Sequence, residues 1–321
     1  MKPFNWCFIG ASKIAYKVAD EIIKGNNCRI VSVWNRTYEK ALAFADKYNA
    51  KAYKDVIDAI KDKDVDGVYI ALTNDQHFKY MKLCIDNNVP VLCEKPFTMN
   101  EEEARKIYDI STKKGVYVSE AMWTWHNKCA LKVKQWVKEN KVGTIKEVTC
   151  SFGFVGVSKE YTVERLVNPN LLGGCLLDIG VYGLRYTLEL FGYPKDIKCT
   201  GTLYNGVDIN EEVIFYYDNF KVTHHFSIDE ELDGNYIIKG SDGEIIAPGF
   251  HATKEVRISG KYNEIFKDDA LLYERQFANC AREIKDGIMN DRFISVQNTI
   301  LCMRLMDECR KQLGVIYPIE K

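Results

Sequence analysis

The chain has no excess of either charge. Its 321 residues carry 44 Lys plus Arg against 45 Asp plus Glu, a formal charge of -1. Nucleic-acid and polyphosphate partners demand a basic excess, so neither is expected. Eleven cysteines are present, but no two form a CxxC pair, and clustered zinc ligands are missing. No metal site is expected. An odd number of scattered thiols points to a reducing, cytoplasmic compartment. The opening residues Met1 to Ser12 lack the apolar core of a secretory leader. No apolar run approaches the ~20 residues of a membrane span, so no membrane partner is expected. Repeats, low-complexity stretches and Pro- or Ser-rich linkers are also missing. What is present, 46% hydrophobic and 28% charged residues, is ordinary globular composition. The length suits two domains at roughly 100–200 residues each.

The first 120 residues alternate short apolar runs with amphipathic segments. Strands are predicted at Phe4–Ile9, Arg29–Trp34, Gly67–Leu72, Val89–Cys93 and Gly115–Ser119. Helices are predicted at Lys13–Lys24, Tyr38–Tyr48 (Leu42 and Ala45 inward), His77–Asn87 and Glu101–Lys114. This order implies right-handed crossovers and a Rossmann-type, doubly wound parallel sheet, buried between helices. Beyond residue 120 the pattern changes. A helix at Lys128–Asn140, a strand at Ile145–Val155 and a helix at Leu176–Phe191 precede a strand-rich stretch. That stretch runs from Ile197 to about Ile258. Asn205-Gly206, Asp218-Asn219, Asp233-Gly234 and Asp242-Gly243 mark its hairpin turns. Helices at Ala270–Asp286 and Ser295–Leu313 close the chain. The expected fold class is α/β: an N-terminal Rossmann domain (1–120), then an α+β domain (121–321) with a large, mostly antiparallel open sheet.

Four groups of residues carry chemistry. Gly10-Ala11-Ser12-Lys13-Ile14-Ala15 joins the first strand to the first helix, where dinucleotides bind. Gly10 suits the tight turn, Ser12 offers a hydroxyl to a phosphate, and Lys13 adds charge at a helix N-terminus. The same stretch also fits an α/β turn that binds no nucleotide. The second strand ends in Asn35-Arg36. No carboxylate stands there to repel a 2′-phosphate, and Arg36 offers it a fork, which favours NADP while leaving NAD possible. Arg36 otherwise reads as a solvated helix-start residue. Lys95, in Glu94-Lys95-Pro96 at a strand end, is placed to hold a substrate oxygen, or else is a loop lysine. Asp178 and Tyr182 stand four apart in a predicted helix, so one face carries both. They read as a proton relay, or as a helix start with a buried tyrosine. His224-His225 and Glu211-Glu212 alternate on strands. They are set aside, the first because the rings face opposite ways and the second as edge solvation. Glu164-Arg165 is set aside as a surface pair.

Together these motifs resemble the glucose-fructose oxidoreductase / inositol dehydrogenase / MocA family over essentially the whole chain. The resemblance rests on the glycine loop, on Asn74 and His77, on Glu94-Lys95-Pro96 and on Glu120-Ala121-Met122-Trp123-Thr124. Leu72 and Thr73 replace a family Thr-Pro. Leu172-Gly173-Gly174 and Leu177-Asp178-Ile179-Gly180-Val181-Tyr182 resemble most the branch of dimeric dihydrodiol dehydrogenase and NADP-dependent D-xylose dehydrogenase. The branch usually places Arg where Trp125 stands here, followed by His126, so no named substrate is carried across.

The resemblance implies an oxidoreductase moving a hydride between a nicotinamide and a sugar, polyol or dihydrodiol-like substrate. Lys95 and Tyr182 would form the catalytic pair, with Asp178 in support. Leu72, Thr73, Asn74, His77, Glu94 and Lys95 would join the glycine loop, with Ile14, around the cofactor. Trp123, Phe152 and Phe154 would line the substrate site with Asp178 and Tyr182. A homodimer or homotetramer built through the second domain is also implied. Two other readings stay open. One is an NAD-dependent redox-assisted glycosidase. The other is a non-catalytic, cofactor-bound sugar sensor.

Overall fold

The structure is a computed structural model that describes residues 2–158 and 160–321. It divides into two compact units. One comprises residues 1–123 and 270–299, the other 124–269 and 300–321.

In the first unit, strands alternate with helices. The order is β1 (Phe4–Ile9), α1 (Lys13–Ile22), β2 (Cys28–Trp34), α2 (Tyr38–Tyr48), β3 (Lys51–Tyr53) and α3 (Val56–Ile60). There follow β4 (Gly67–Ile70), α4 (His77–Asp86), β5 (Val91–Glu94), α5 (Glu101–Lys114) and β6 (Val118–Ala121). All strands pair in parallel in the order β3-β2-β1-β4-β5-β6. The chain reverses direction across the sheet between β1 and β4, the switch point where open α/β sheets bind ligands. Strands β1, β4, β5 and β6 are buried throughout, as two helical layers require.

β3 and α3 are absent from the sequence reading because both are too short for a periodic signal. Asp55 caps α3, accepting the Ile57 amide at 2.7 Å. In α2 the inward residues are Ala41, Phe44 and Ala45, while Leu42 is 47% exposed, contrary to expectation. A strand-to-helix turn fixes the phase of so short a helix, and Leu42 falls one position off the stripe.

Residues 270–299 return to this unit through α8 (Leu272–Lys285). The physical reason is aromatic. The Phe277 ring lies 4.9 Å from Trp6 and 5.0 Å from Tyr69, edge-on to both. Tyr117 donates to Glu283 at 3.0 Å.

The second unit holds α6 (Lys128–Lys138), β7 (Ile145–Gly153), α7 (Val181–Phe191), β8 (Asp196–Tyr204), β9 (Val207–Tyr216) and β10 (Lys221–Ser227). It continues with β11 (Tyr236–Gly240), β12 (Gly243–Ala247), β13 (Glu255–Gly260) and β14 (Glu264–Lys267). Helix α9 (Val296–Leu313) enters it from residue 300. The sheet order is β14-β13-β12-β11-β7-β10-β9-β8. Every pairing is antiparallel except β7 with β10. Asn205-Gly206 forms a two-residue hairpin turn with φ of 53° and 82°. Asp233-Gly234 is not a hairpin turn, since β7 lies between β10 and β11. A local turn signal does not reveal that an earlier strand has been inserted.

Candidate functional site

Gly10 follows the last residue of β1 at the switch point. Its amide donates to Trp34 O at 2.8 Å and its φ is +106°. A Cβ there would lie 2.5 Å from Ala71 O, so only glycine fits. Ser12 caps α1, accepting the Ala15 amide at 3.4 Å. Its hydroxyl donates to Ala71 O at 2.8 Å. That proton therefore ties the loop to β4 and is not offered to a phosphate, as the sequence suggested. Asn35 Oδ1 accepts the Ala11 amide at 3.1 Å, linking the glycine loop to the end of β2. Arg36 and Lys13 are exposed, and Ile14 is half-buried. The Trp34 ring packs 5.4 Å from Tyr80 beneath this edge.

The loop after β4 carries Leu72, Thr73 and Asn74, all half-buried. His77 opens α4, wholly buried, with Nδ1 2.8 Å from Pro96 O and Nε2 3.3 Å from Leu72 O. Burial pulls its pKa down, so the neutral ring donates from Nδ1 to Pro96. His77 thus ties the start of α4 to the loop after β5. Its ring nitrogens face carbonyls, away from the cofactor role expected of them. Glu94 is also buried and accepts the Tyr69 hydroxyl at 2.5 Å. Burial pushes its carboxyl up to about 7. It too faces the interior and supports Lys95, which follows it, half-buried, before a cis peptide to Pro96. Trp123 is buried, its ring 5.2 Å from Tyr273.

In the second unit, Leu176–Gly180 forms a π turn that runs straight into α7. The predicted single α-helix over this stretch is therefore replaced at its start. A π turn holds more residues per turn, so the phase between Asp178 and Tyr182 is not the α-helical one assumed from their spacing. Arg165 Nη1 donates to Asp178 Oδ1 at 3.1 Å. Arg165 is thus a partner of Asp178 and not merely of its neighbour Glu164. Tyr182 is buried. Its ring lies 6.2 Å from Phe152 and 5.7 Å from His251. Phe152 stacks on His251 at 4.1 Å, nearly coplanar. Phe154, two residues along, is half-buried, and its amide donates to Ser227 O at 3.0 Å. The unit therefore gathers Tyr182, Phe152 and His251. His251 carried no sequence signal, because it lies in a loop after β12. Arg165 stands in the Glu164-Arg165 pair, which the sequence alone assigns to the surface.

Glu211 corrects another expectation. Strand β9 is interior to the sheet, and Glu211 is 3% exposed, whereas Glu212 faces out towards His225 at 3.6 Å. His224 is buried, its Nε2 2.7 Å from Thr187 Oγ1, and His225 points to the opposite side, as the alternation requires. Trp125 lies in the interior of the unit, its ring 5.0 Å from Tyr186.

Residues 4–122 match the model of an oxidoreductase family with an NAD-binding Rossmann fold, and 130–246 match the GFO/IDH/MocA C-terminal domain. The chain belongs to the GFO/IDH/MocA family. It is similar to the scyllo-inositol 2-dehydrogenase (NADP(+)) of Bacillus subtilis, 30% identical over 99% of both chains. It is also similar to trans-1,2-dihydrobenzene-1,2-diol dehydrogenase of Xenopus laevis, 27% identical over 97% of this chain and 98% of that one. A 3-ketoreductase from Actinomadura kijaniata, crystallised with NADP and TDP-benzene, superposes with a TM-score of 0.85. It is 19% identical, and the match covers 97% and 98% of the two chains. That likeness shows the shared fold. As a member of this family the chain is an oxidoreductase. Among the described residues, no helix is long and apolar enough to cross a membrane.

The residues present fit a dinucleotide. Gly10 makes the tight turn after β1 against the Ala71 carbonyl, the first amides of α1 follow it, and no carboxylate stands at Asn35-Arg36.

Proposed function

We propose that this oxidoreductase uses NADP to interconvert a carbinol and a carbonyl on a sugar, polyol or dihydrodiol-like substrate, with Lys95 and Tyr182 handling the proton. The observation that carries the reading is the edge of β2. Asn35 spends its oxygen on the glycine loop, and exposed Arg36 follows it with no carboxylate to oppose a 2′-phosphate. Two relatives named as NADP(+) dehydrogenases, one matching 99% of this chain and the other 84%, support it.

NADP, when bound, supplies or accepts the hydride. The glycine loop and the first turn of α1 would hold its pyrophosphate, and Arg36 its 2′-phosphate. Lys95 holds the substrate oxygen by its ammonium, which lowers the cost of negative charge there. Tyr182 takes the hydroxyl proton in oxidation and returns it in reduction. A free phenol titrates near ~10, so a cation that stabilises phenolate is needed for it to act as base at neutral pH, and we assign that role to Lys95. Proton help of this kind is worth roughly 10²–10⁴ in rate. Asp178, held by Arg165, supports the phenol side. Phe152 and Trp123 offer apolar surface to the substrate's ring or carbon face.

The test is cofactor binding followed by fluorescence of the reduced nicotinamide. NADPH should bind more tightly than NADH, and Arg36→Ala should bring the two within about threefold. Equal affinities in the parent chain would remove the NADP assignment.

A further inference from the structure

Behind the π turn lies a group of side chains that the proposed reaction does not use. Asp208 and Glu211 of β9 and Cys175, just before the turn, are all buried. The Cys175 sulfur and one oxygen of each carboxyl lie within 4.8 Å of one another. Asp208 Oδ2 accepts the amide of Leu176, the first residue of the turn, at 2.6 Å. Asp208 Oδ1 and both oxygens of Glu211 have no donor among the described residues. Glycines bracket the turn against these acids. A Cβ on Gly174 (φ +123°) would sit 2.5 Å from Asp208 Oδ1, and one on Gly180 would sit 3.1 Å from Glu211 Oε1. Two buried carboxylates this close cannot both stay ionised, and an unmatched acceptor in the interior is costly. One proton between them removes the like-charge repulsion and pairs two of the three unmatched oxygens. Asp208, with the Leu176 amide donating to it, keeps the charge, and Glu211, with no amide donor and only the weak Cys175 thiol beside it, keeps the proton.

We propose that Asp208 and Glu211 are positioning residues: sharing one proton, they anchor the π turn that carries Asp178 and delivers Tyr182. The role in turnover rests on the oxidoreductase reading above; the shared proton does not. Burial and the Asp208 charge push the Glu211 carboxyl well above its usual range. The other ionisable groups around the pair are the thiols of Cys175, Cys199 and Cys309, the Arg310 guanidinium and the Tyr317 phenol. Of these only Arg310 is cationic, and Glu320 and Asp307 already hold it at 2.8 and 3.0 Å.

The experiment compares Glu211→Gln and Glu211→Leu with the parent chain. Gln cannot ionise, yet its amide still donates to Asp208. Leu leaves the Asp208 carboxylate alone in the interior. The expected result is turnover within about threefold of the parent for Glu211→Gln and a loss of tenfold or more in kcat for Glu211→Leu. Cofactor affinity should be unchanged in both. Measured without cofactor, the unfolding midpoint of the parent should fall more on raising the pH than that of Glu211→Gln. Metal analysis of the purified chain should find no stoichiometric divalent ion. Equal damage from Gln and Leu, an identical pH response, or one bound divalent ion per chain whose removal lowers the midpoint would each overturn the proposal. If the parent turns over no substrate, the oxidoreductase reading fails, and the midpoint and metal measurements still decide the shared proton.

Discussion

Ser12, Asn35 and His77 show how a residue chosen for chemistry can be spent on architecture. Each sits where a dinucleotide protein meets its cofactor, and each has a side-chain polar atom bound to backbone. The Ser12 acceptor, Ala71 O, lies 59 residues away in sequence, which is why its engagement was not legible. The turn glycine Gly10 was legible, and its φ of +106° agrees with that reading. Lys95→Met and Tyr182→Phe should each lower kcat by roughly 10²-fold or more while NADPH affinity stays within about threefold. Steady-state kinetics beside a binding titration separates the two effects. Near-parental turnover in either variant would strike that residue from the mechanism. Arg165→Ala removes the guanidinium that donates to Asp178 and should lower kcat by about tenfold, less than loss of Tyr182.

At the scale of the element, the cofactor cradle depends on backbone that only glycine accepts. Gly10→Ala forces a Cβ onto a carbonyl and a side chain into a positive φ, at a cost of order 1–3 kcal/mol. It should lower the unfolding midpoint and weaken NADPH binding at least tenfold, as seen by calorimetry with and without cofactor. Unaltered affinity would place the pyrophosphate elsewhere. The helices α2 and α5 fall where periodicity placed them, to the residue. The π turn was not legible, because its residues Leu176 to Gly180 carry the same composition as a helical first turn. What sets it apart is tertiary. Asp208, far along the chain on β9, binds the Leu176 amide. Likewise the insertion of β7 between β10 and β11 leaves no local trace. Both flanking strands bury alternate residues on one face whichever neighbour they find.

The whole molecule couples stability to pH through its buried ionisable groups. Glu94 titrates at about 7 in place of 4.5, so its neutral form stabilises the fold fully below 4.5 and that contribution is lost as the pH rises through 7. His224, buried and pulled from 6.5 to about 4, acts in the opposite sense. Its contribution is complete above 6.5 and lost as the pH falls towards 4. Glu94→Gln removes the first trend. Its unfolding midpoint, relative to the parent, should therefore rise steadily from pH 4.5 to pH 7, while the acid-side loss from His224 remains. A constant offset between the two proteins would show that Glu94 ionises normally. The alternation of strands and helices made the first sheet readable, and turn dipeptides made the second readable in outline. The return of residues 270–299 to the first unit was not, since Phe277 meets Trp6 and Tyr69 only through folding. The claim that unites these scales is that the chain moves hydride between NADP and a polyhydroxy substrate with Lys95 and Tyr182 moving the proton. Net accumulation of reduced cofactor, followed by its absorbance across a panel of aldoses, inositols and dihydrodiols with NADP and NAD in parallel, tests it most directly. The expected result is NADPH formation with at least one substrate, slower with NAD and lost in both Lys95→Met and Tyr182→Phe. No net reduction with any substrate, or formation that survives both substitutions, would contradict it.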